Sequence, residues 1–118
     1  MALVTDATAA AGLGDGEFRL GAIPVDVVDG VAHVRGTSTI AGSTATMDQL
    51  FRAAAGNGSD SDAALAAAVQ MTSTTPARAV GLTDVGYLRV GAQADLVVLD
   101  SDLQISAVLA RGSWLSDG

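Results

Sequence analysis

An Asp-Gly pair set between two β-rich runs is the feature that most limits what this chain can become. Ile23-Pro24-Val25-Asp26-Val27-Val28 and Val31-Ala32-His33-Val34 are separated only by Asp29-Gly30. Two residues reverse a strand when both accept a left-handed backbone, and Asp-Gly does. A hairpin closing on that turn is therefore predicted, with Pro24 confining the first run to the start or edge of a sheet. Glu17-Phe18-Arg19-Leu20 alternates polar and apolar residues and extends the β region toward the N-terminus.

Upstream, Leu3-Val4-Thr5-Asp6-Ala7 is a short apolar run that carries one carboxylate at its end, and Ala- and Gly-rich sequence follows it as far as Gly16. A buried strand bearing a functional group at its C-terminal tip has this pattern. A strand that ends in a turn residue or helix cap has it too. These five residues leave both readings of Asp6 open. The stretch Ala7 to Gly16 is read as a loop.

Downstream, the polar segment Gly36 to Ser43 runs into a helix whose start is marked by Thr46 with Gln49 three residues on. Met47, Leu50, Phe51 and Ala54 repeat at helical spacing, and Gly56-Asn57-Gly58 supplies a stop. Ser43 and Thr44 belong either to the capping region or to a ligand-facing loop ahead of free backbone N–H groups. Ser59 with Asp62 opens a second, alanine-rich helix to Met71, with Leu65, Ala68, Val69 and Thr72 as its inward stripe. Thr75 to Gly81 reads as a separate helical turn with Thr75 as N-cap, Pro76 in the first position and Gly81 past the end. Ala94 to Asp100 reads as a buried strand, and Ile105 to Leu109 with Arg111 to Trp114 as a further strand and turn. Strands, helices and strands in that order make an α+β chain.

Composition narrows the function. Apolar residues make up 49% of the 118-residue chain but aromatics only 3%, so the core is built from Ala, Val, Leu and Ile. The length suits one compact domain and falls short of the roughly 250 residues of a complete (β/α)8 barrel. The net charge is −7, lysine is absent, and the six arginines stand singly. Nucleic acid and anionic membranes are not expected as partners, because a phosphate-binding face needs clustered cations. There is no cysteine, no basic leader and no apolar run approaching the about 18 residues of a membrane span; a cytoplasmic protein is expected.

Most catalytic constellations are missing. His33 is the single histidine, so a metal site with convergent ligands is not expected, and His33 reads as a satisfied or exposed strand residue. No G-x-S-x-G elbow occurs, a lysine-bearing phosphate loop is impossible, and Gly12, Gly14 and Gly16 have the wrong spacing for a dinucleotide fingerprint.

The motifs carry further information as a set. Leu3-Val4-Thr5-Asp6-Ala7, Ala10-Ala11-Gly12, Asp15-Gly16-Glu17-Phe18-Arg19-Leu20-Gly21, and Ile40-Ala41-Gly42-Ser43 with Thr46-Met47-Asp48 together resemble the C-terminal third of the N-acetylglucosamine-6-phosphate deacetylases, within the amidohydrolase superfamily. Thr75 to Leu82 and Gly86 to Asp100 resemble amidohydrolases in general. The resemblance implies an α+β fragment: residues 1–82 hold the last strand, a β-hairpin insertion and outer helices of a (β/α)8 TIM-type barrel, and residues 83–118 hold strands of a small β-sandwich domain. It implies that Asp6 is the catalytic aspartate, which takes a proton from the attacking water and returns it to the leaving amine, and that Ile40, Ala41 and Gly42 contact the substrate.

The complete enzyme is expected to use a divalent metal of the zinc or iron type and to act on a sugar phosphate. The family's metal ligands lie on earlier strands that this sequence does not include. The chain alone is therefore expected to hold no metal and to be inactive. It is expected to associate with itself or with the missing N-terminal part. A non-catalytic sugar-phosphate-binding module and a self-assembling segment are the alternatives from other functional classes.

Overall fold

The computed structural model describes residues 1–56 and 61–115, which form two compact units. One unit is Val4–Leu50, and the other combines Met1–Leu3 with Phe51–Gly118.

Val4–Leu50 holds a four-stranded antiparallel sheet in the order β1 (Gly16–Leu20), β2 (Ile23–Val28), β3 (Val31–Val34) and β4 (Ile40–Gly42). The predicted hairpin is present. Val28 pairs with Val31 and the turn is Asp29-Gly30, with φ of 52° and 74°, the doubly left-handed geometry that matches strand twist. Asp15 secures it from outside: its two carboxylate oxygens accept the N–H groups of Asp29 and Gly30, each at 2.9 Å. Alternation then sorts the faces. Val25, Val27 and Ala32 are buried together with Ala10 from the loop, and Phe18, Leu20 and Ala41 pack against them.

On the other face Glu17 lies opposite Asp26 in register, a like-charge pairing that would weaken the sheet. Arg35 resolves it by pairing with both, at 2.9 Å to Glu17 and 2.8 Å to Asp26. The Asp26 hydrogen bond is the main reason the guanidinium pKa is raised further.

After β4 the chain is helical and then β. Helix α1 (Met47–Ala54) starts as predicted, with the Thr46 N–H donating to Gln49 Oε1 at 3.0 Å. The proposed stop and second capping box fall partly on residues 57–60, outside the described residues. Among the described residues Ser61 caps α2 (Asp62–Val69), its side chain accepting the Ala64 N–H. Ala68 is fully buried and Thr72 half-buried, whereas Leu65 and Val69 of the expected stripe are 39% and 43% exposed.

Thr75 is not an N-cap. Helix α2 continues through a π-helical turn (Gln70–Thr74) into α3 (Thr75–Ala79), and Thr75 has helical φ and ψ of −67° and −48°. The cause is Pro76, which offers no N–H and whose ring crowds the preceding turn. Widening that turn lets the Thr75 N–H reach the Gln70 carbonyl instead. The far end stops as predicted: Leu82 N–H bonds Ala77 O at 2.9 Å and Gly81 N–H bonds Arg78 O at 3.1 Å, a Schellman pair.

A three-stranded antiparallel sheet follows, in the order β5 (Leu96–Leu99), β6 (Ile105–Ala110) and β7 (Ser113–Trp114). The expectation of a buried strand at Ala94 to Asp100 is corrected here: Val97 and Val98 are 57% and 40% exposed. The run is apolar on both faces, and among the described residues β5 is an edge that pairs with β6 alone. Asp95 braces this sheet by accepting the Arg111 N–H at 2.7 Å and the Gln93 side-chain amide.

Leu3 to Asp6 does not form a strand. Val4 is 73% exposed, and Leu3 N–H bonds Met71 O at 2.9 Å. A parallel barrel strand needs neighbours on both sides, and among the described residues the one parallel bridge of this stretch joins Ala7 to Ser43.

Two predictions follow from these contacts. A Cβ at Gly86 (φ +87°) would lie 2.8 Å from both Ala77 Cβ and Ser73 O, whereas one at Gly91 (φ +88°) would meet nothing within 4 Å. Gly86→Ala is expected to lose about 1–3 kcal/mol from overpacking on top of the backbone strain that both variants share. Urea unfolding followed by circular dichroism will separate the two. Asp95 is held below its ordinary 3.8, chiefly by the Arg111 N–H. A carboxyl with a depressed folded pKa supports the fold above its unfolded value and loses that support as pH falls through the folded one. Ellipticity between about pH 5 and about pH 2 is expected to fall less steeply in Asp95→Asn than in the parent chain.

Candidate active site

The site is built where the loop after Leu3 meets the end of β4. Ser43 N–H donates to Asp6 O at 2.9 Å, and Thr8 N–H donates to Ser43 O at 2.8 Å. These two bonds bracket Ala7 and lay residues 6–8 beside residues 42–44. Asp6 sits there exposed, with φ of 49°, a left-handed conformation that Asp tolerates better than most residues.

Gly42 makes this approach possible. Its φ is +130°, and a Cβ placed on it would fall 2.7 Å from Thr8 Cγ2, 3.4 Å from Asp6 O and 3.9 Å from Asp6 Oδ2. The carboxylate of Asp6 is therefore close to Gly42, 36 positions away in sequence (42 − 6). Of the other two predicted contact residues, Ile40 is 66% exposed, whereas Ala41 turns inward and packs on the Val25 core. Asp6 and Ile40 are thus exposed, Gly42 is half-buried, and the Ala41 side chain is committed to packing.

Ser43 and Thr44 act locally. Ser43 Oγ accepts the Ala45 N–H at 2.9 Å, and the Thr44 hydroxyl donates to Gly30 O. A shallow groove of about 450 Å³ runs past them, lined by Gly30, Val31, Gly42 to Ala45 and Gln49. In the other unit a groove of about 500 Å³ holds Arg78 and Arg89, with the Arg89 guanidinium stacked 4.7 Å from the Tyr87 ring centre.

His33 stands in β3 opposite Asp26 and Ile40, half-buried, and its Nδ1 has no hydrogen-bond partner among the described residues. No group of three or more His, Cys, Asp or Glu side chains able to hold a metal occurs among the described residues. The described residues alone do not make up a catalytic metal centre. No helix among the described residues is long and apolar enough to cross a membrane.

The sequence pattern of the amidohydrolase family matches residues 37–109, more than half of the chain. The chain belongs to the amidohydrolase family. Its relatives within that family include human N-acetylglucosamine-6-phosphate deacetylase, 41% identical over 121 residues that cover 99% of this chain and 29% of the human protein. A Mycobacterium smegmatis N-acetyl-D-glucosamine-6-phosphate deacetylase mutant, solved in complex with N-acetyl-D-glucosamine-6-phosphate, is 54% identical with a TM-score of 0.88, covering 96% of this chain and 30% of that one. The Thermotoga maritima N-acetylglucosamine-6-phosphate deacetylase is 36% identical with a TM-score of 0.80, covering 97% of this chain and 30% of that one. This amidohydrolase chain thus spans about three-tenths of the length of these relatives, and the likeness read from its motifs, to the C-terminal third of such deacetylases, holds.

Sequence reasoning named Asp6, Ile40, Ala41 and Gly42 but missed Thr8 and the backbone of Ser43. A glycine inside a short strand was the available signal, since it often marks a close backbone approach. Gly42→Ala in the 118-residue chain is expected to cost about 1–3 kcal/mol through the collision with Thr8. Urea unfolding will measure it, and faster amide exchange at Ser43 will localise it.

Proposed function

We propose that this chain supplies the proton-transferring aspartate and part of the substrate wall of an N-acetylglucosamine-6-phosphate deacetylase. Hydrolysis joins the oxygen of water to the acetyl carbonyl carbon and breaks the bond from that carbon to nitrogen. Asp6 takes the proton from the attacking water and delivers it to the departing nitrogen, so the products are acetate and D-glucosamine 6-phosphate. An amine leaves readily only when protonated, and one positioned carboxylate serves both transfers, worth about 10²- to 10⁴-fold in rate. Ile40 and the backbone at Gly42 meet the sugar beside it.

The observation that supports this reading is the approach of Asp6 Oδ2 to Gly42. It joins the proposed acid and the proposed substrate segment at one exposed place. The divalent metal of a complete deacetylase finds no cluster of three or more donor side chains among the described residues, and we assign its ligands to the part of the family's length that this chain does not span. The chain then works only together with that part. The apolar faces of the β5–β6–β7 sheet, with Val97, Ile105 and Trp114 each at least half exposed, favour such a pairing over solitary existence.

The test is a chimera in which this chain replaces the matching segment of the Mycobacterium smegmatis deacetylase, with acetate release as the assay. The chimera is expected to deacetylate N-acetylglucosamine 6-phosphate. Asp6→Asn is expected to lower its kcat by about 10²- to 10⁴-fold with little change in KM, and the isolated chain is expected to show no turnover. Parent-like kcat in Asp6→Asn, or metal-dependent turnover by the pure isolated chain, would overturn the proposal.

A further inference from the structure

Asp6 occupies a left-handed backbone conformation, with φ at 49°, that is uncommon outside glycine. The bridge that holds it is isolated: two hydrogen bonds on either side of Ala7, with no continuing ladder. Two bonds at the end of a strand leave the register free to slip by fraying, because nothing propagates the pairing. Something besides the backbone must fix where residues 6–8 sit along β4.

Thr8 is placed to do this. Its Cγ2 methyl occupies the notch that Gly42 leaves, 2.7 Å from where a Cβ would stand. Its Oγ1 accepts the Ala10 N–H at 3.3 Å, and Ala10 is 1% exposed, within the core of the sheet. A β-branched side chain has few χ1 choices, and this hydrogen bond selects among them. The result is a continuous connection, from the core through Ala10 to Thr8, from the Thr8 methyl to Gly42, and from the adjoining Ser43 to the Asp6 carbonyl.

We propose that Thr8 is the positioning residue for Asp6, its methyl group keyed into the Gly42 notch so that the carboxylate stays in register with the Ile40–Gly42 segment. The inference rests on the reading of Asp6 as the proton-transferring group. Thr8 itself touches no reacting atom. The methyl sets the register, and the hydroxyl orients the methyl. Serine at this position keeps the acceptor and loses the key; valine keeps the key and loses the acceptor.

The experiment uses both settings of the protein. In the isolated chain, amide exchange at Ser43 and Thr8 followed by NMR is expected to quicken about tenfold in Thr8→Ser, an opening readout that requires no activity. The urea midpoint is expected to stay near that of the parent. In the chimera, Thr8→Ser is expected to lower kcat by about 10- to 100-fold with KM nearly unchanged, the scale of a misplacement near 1 Å. Thr8→Val is expected to stay within about threefold of the parent, because the keyed methyl remains. Thr8→Ser combined with Gly42→Ala is expected to lose less than the product of the two single losses, since the serine makes room for the added Cβ.

Equal behaviour of the Ser and Val variants would overturn the inference, as would strictly multiplicative losses at positions 8 and 42. A kcat loss that only follows a fallen urea midpoint would overturn it too. Asp6→Asn in the same chimera separates the two levels. If that variant turns over like the parent, the catalytic reading falls and the positioning role with it; if it is inactive while Thr8→Ser is unaffected, the positioning role alone falls.

Discussion

Small side chains govern this structure. Among the described residues the largest fully buried one is Val25, and the others in its cluster are Ala10, Val27 and Ala32. Burying a methyl or an isopropyl group yields far less than burying an aromatic ring, so hydrophobic contact alone would hold these elements loosely. What it does permit is close backbone approach, and the chain uses it repeatedly. Gly42 against Thr8 and Gly86 against Ala77 and Ser73 are both contacts that one added carbon would obstruct.

Carboxylates supply the precision that the core lacks. Asp15 accepts two N–H groups of the β2–β3 turn, Asp95 accepts the Arg111 N–H at the β6–β7 turn, and Asp100 Oδ1 accepts the N–H groups of Asp102 and Gln104 in the β5–β6 connection. Each is a charge-assisted bond to backbone. The acidic composition, which on its own signals little beyond solubility, is in these three cases the means by which turns are fixed. Asp6 is the exception. It is exposed and left-handed, and among the described residues the hydrogen bond that holds it goes to its carbonyl rather than to its carboxylate.

How much of this the sequence disclosed depended on how local the cause was. The Asp29-Gly30 turn, the Thr46–Gln49 cap and the stop at Gly81 are settled by neighbours within a few residues, and all three were legible. Thr75-Pro76 carries the same letters whether it opens a helix or sits inside a widened one, so the continuity of α2 with α3 was not. Leu96-Val97-Val98-Leu99 shows that a strand wants burial on both faces but not that burial is achieved. Leu3 to Asp6 shows a strand pattern without the partners that would pair with it. At the site, resemblance singled out Asp6 and Ile40 to Gly42; the contact between Asp6 and Gly42, and the part of Thr8 in it, came from two segments that sequence spacing alone does not bring together.

The π-helical turn has a geometric consequence for the helix it interrupts. Ala68 and Ala77 are the buried positions of α2 and α3, nine residues apart (77 − 68). At about 100° per residue an uninterrupted α-helix would set them on opposite sides of its axis. One extra residue taken up in the wide turn reduces the effective separation to about eight, an angular offset of about 80°. Pro76 therefore does more than interrupt a ladder of hydrogen bonds: it retunes the azimuth of everything after it, so that two alanines a half-turn out of phase come within about a quarter-turn of each other.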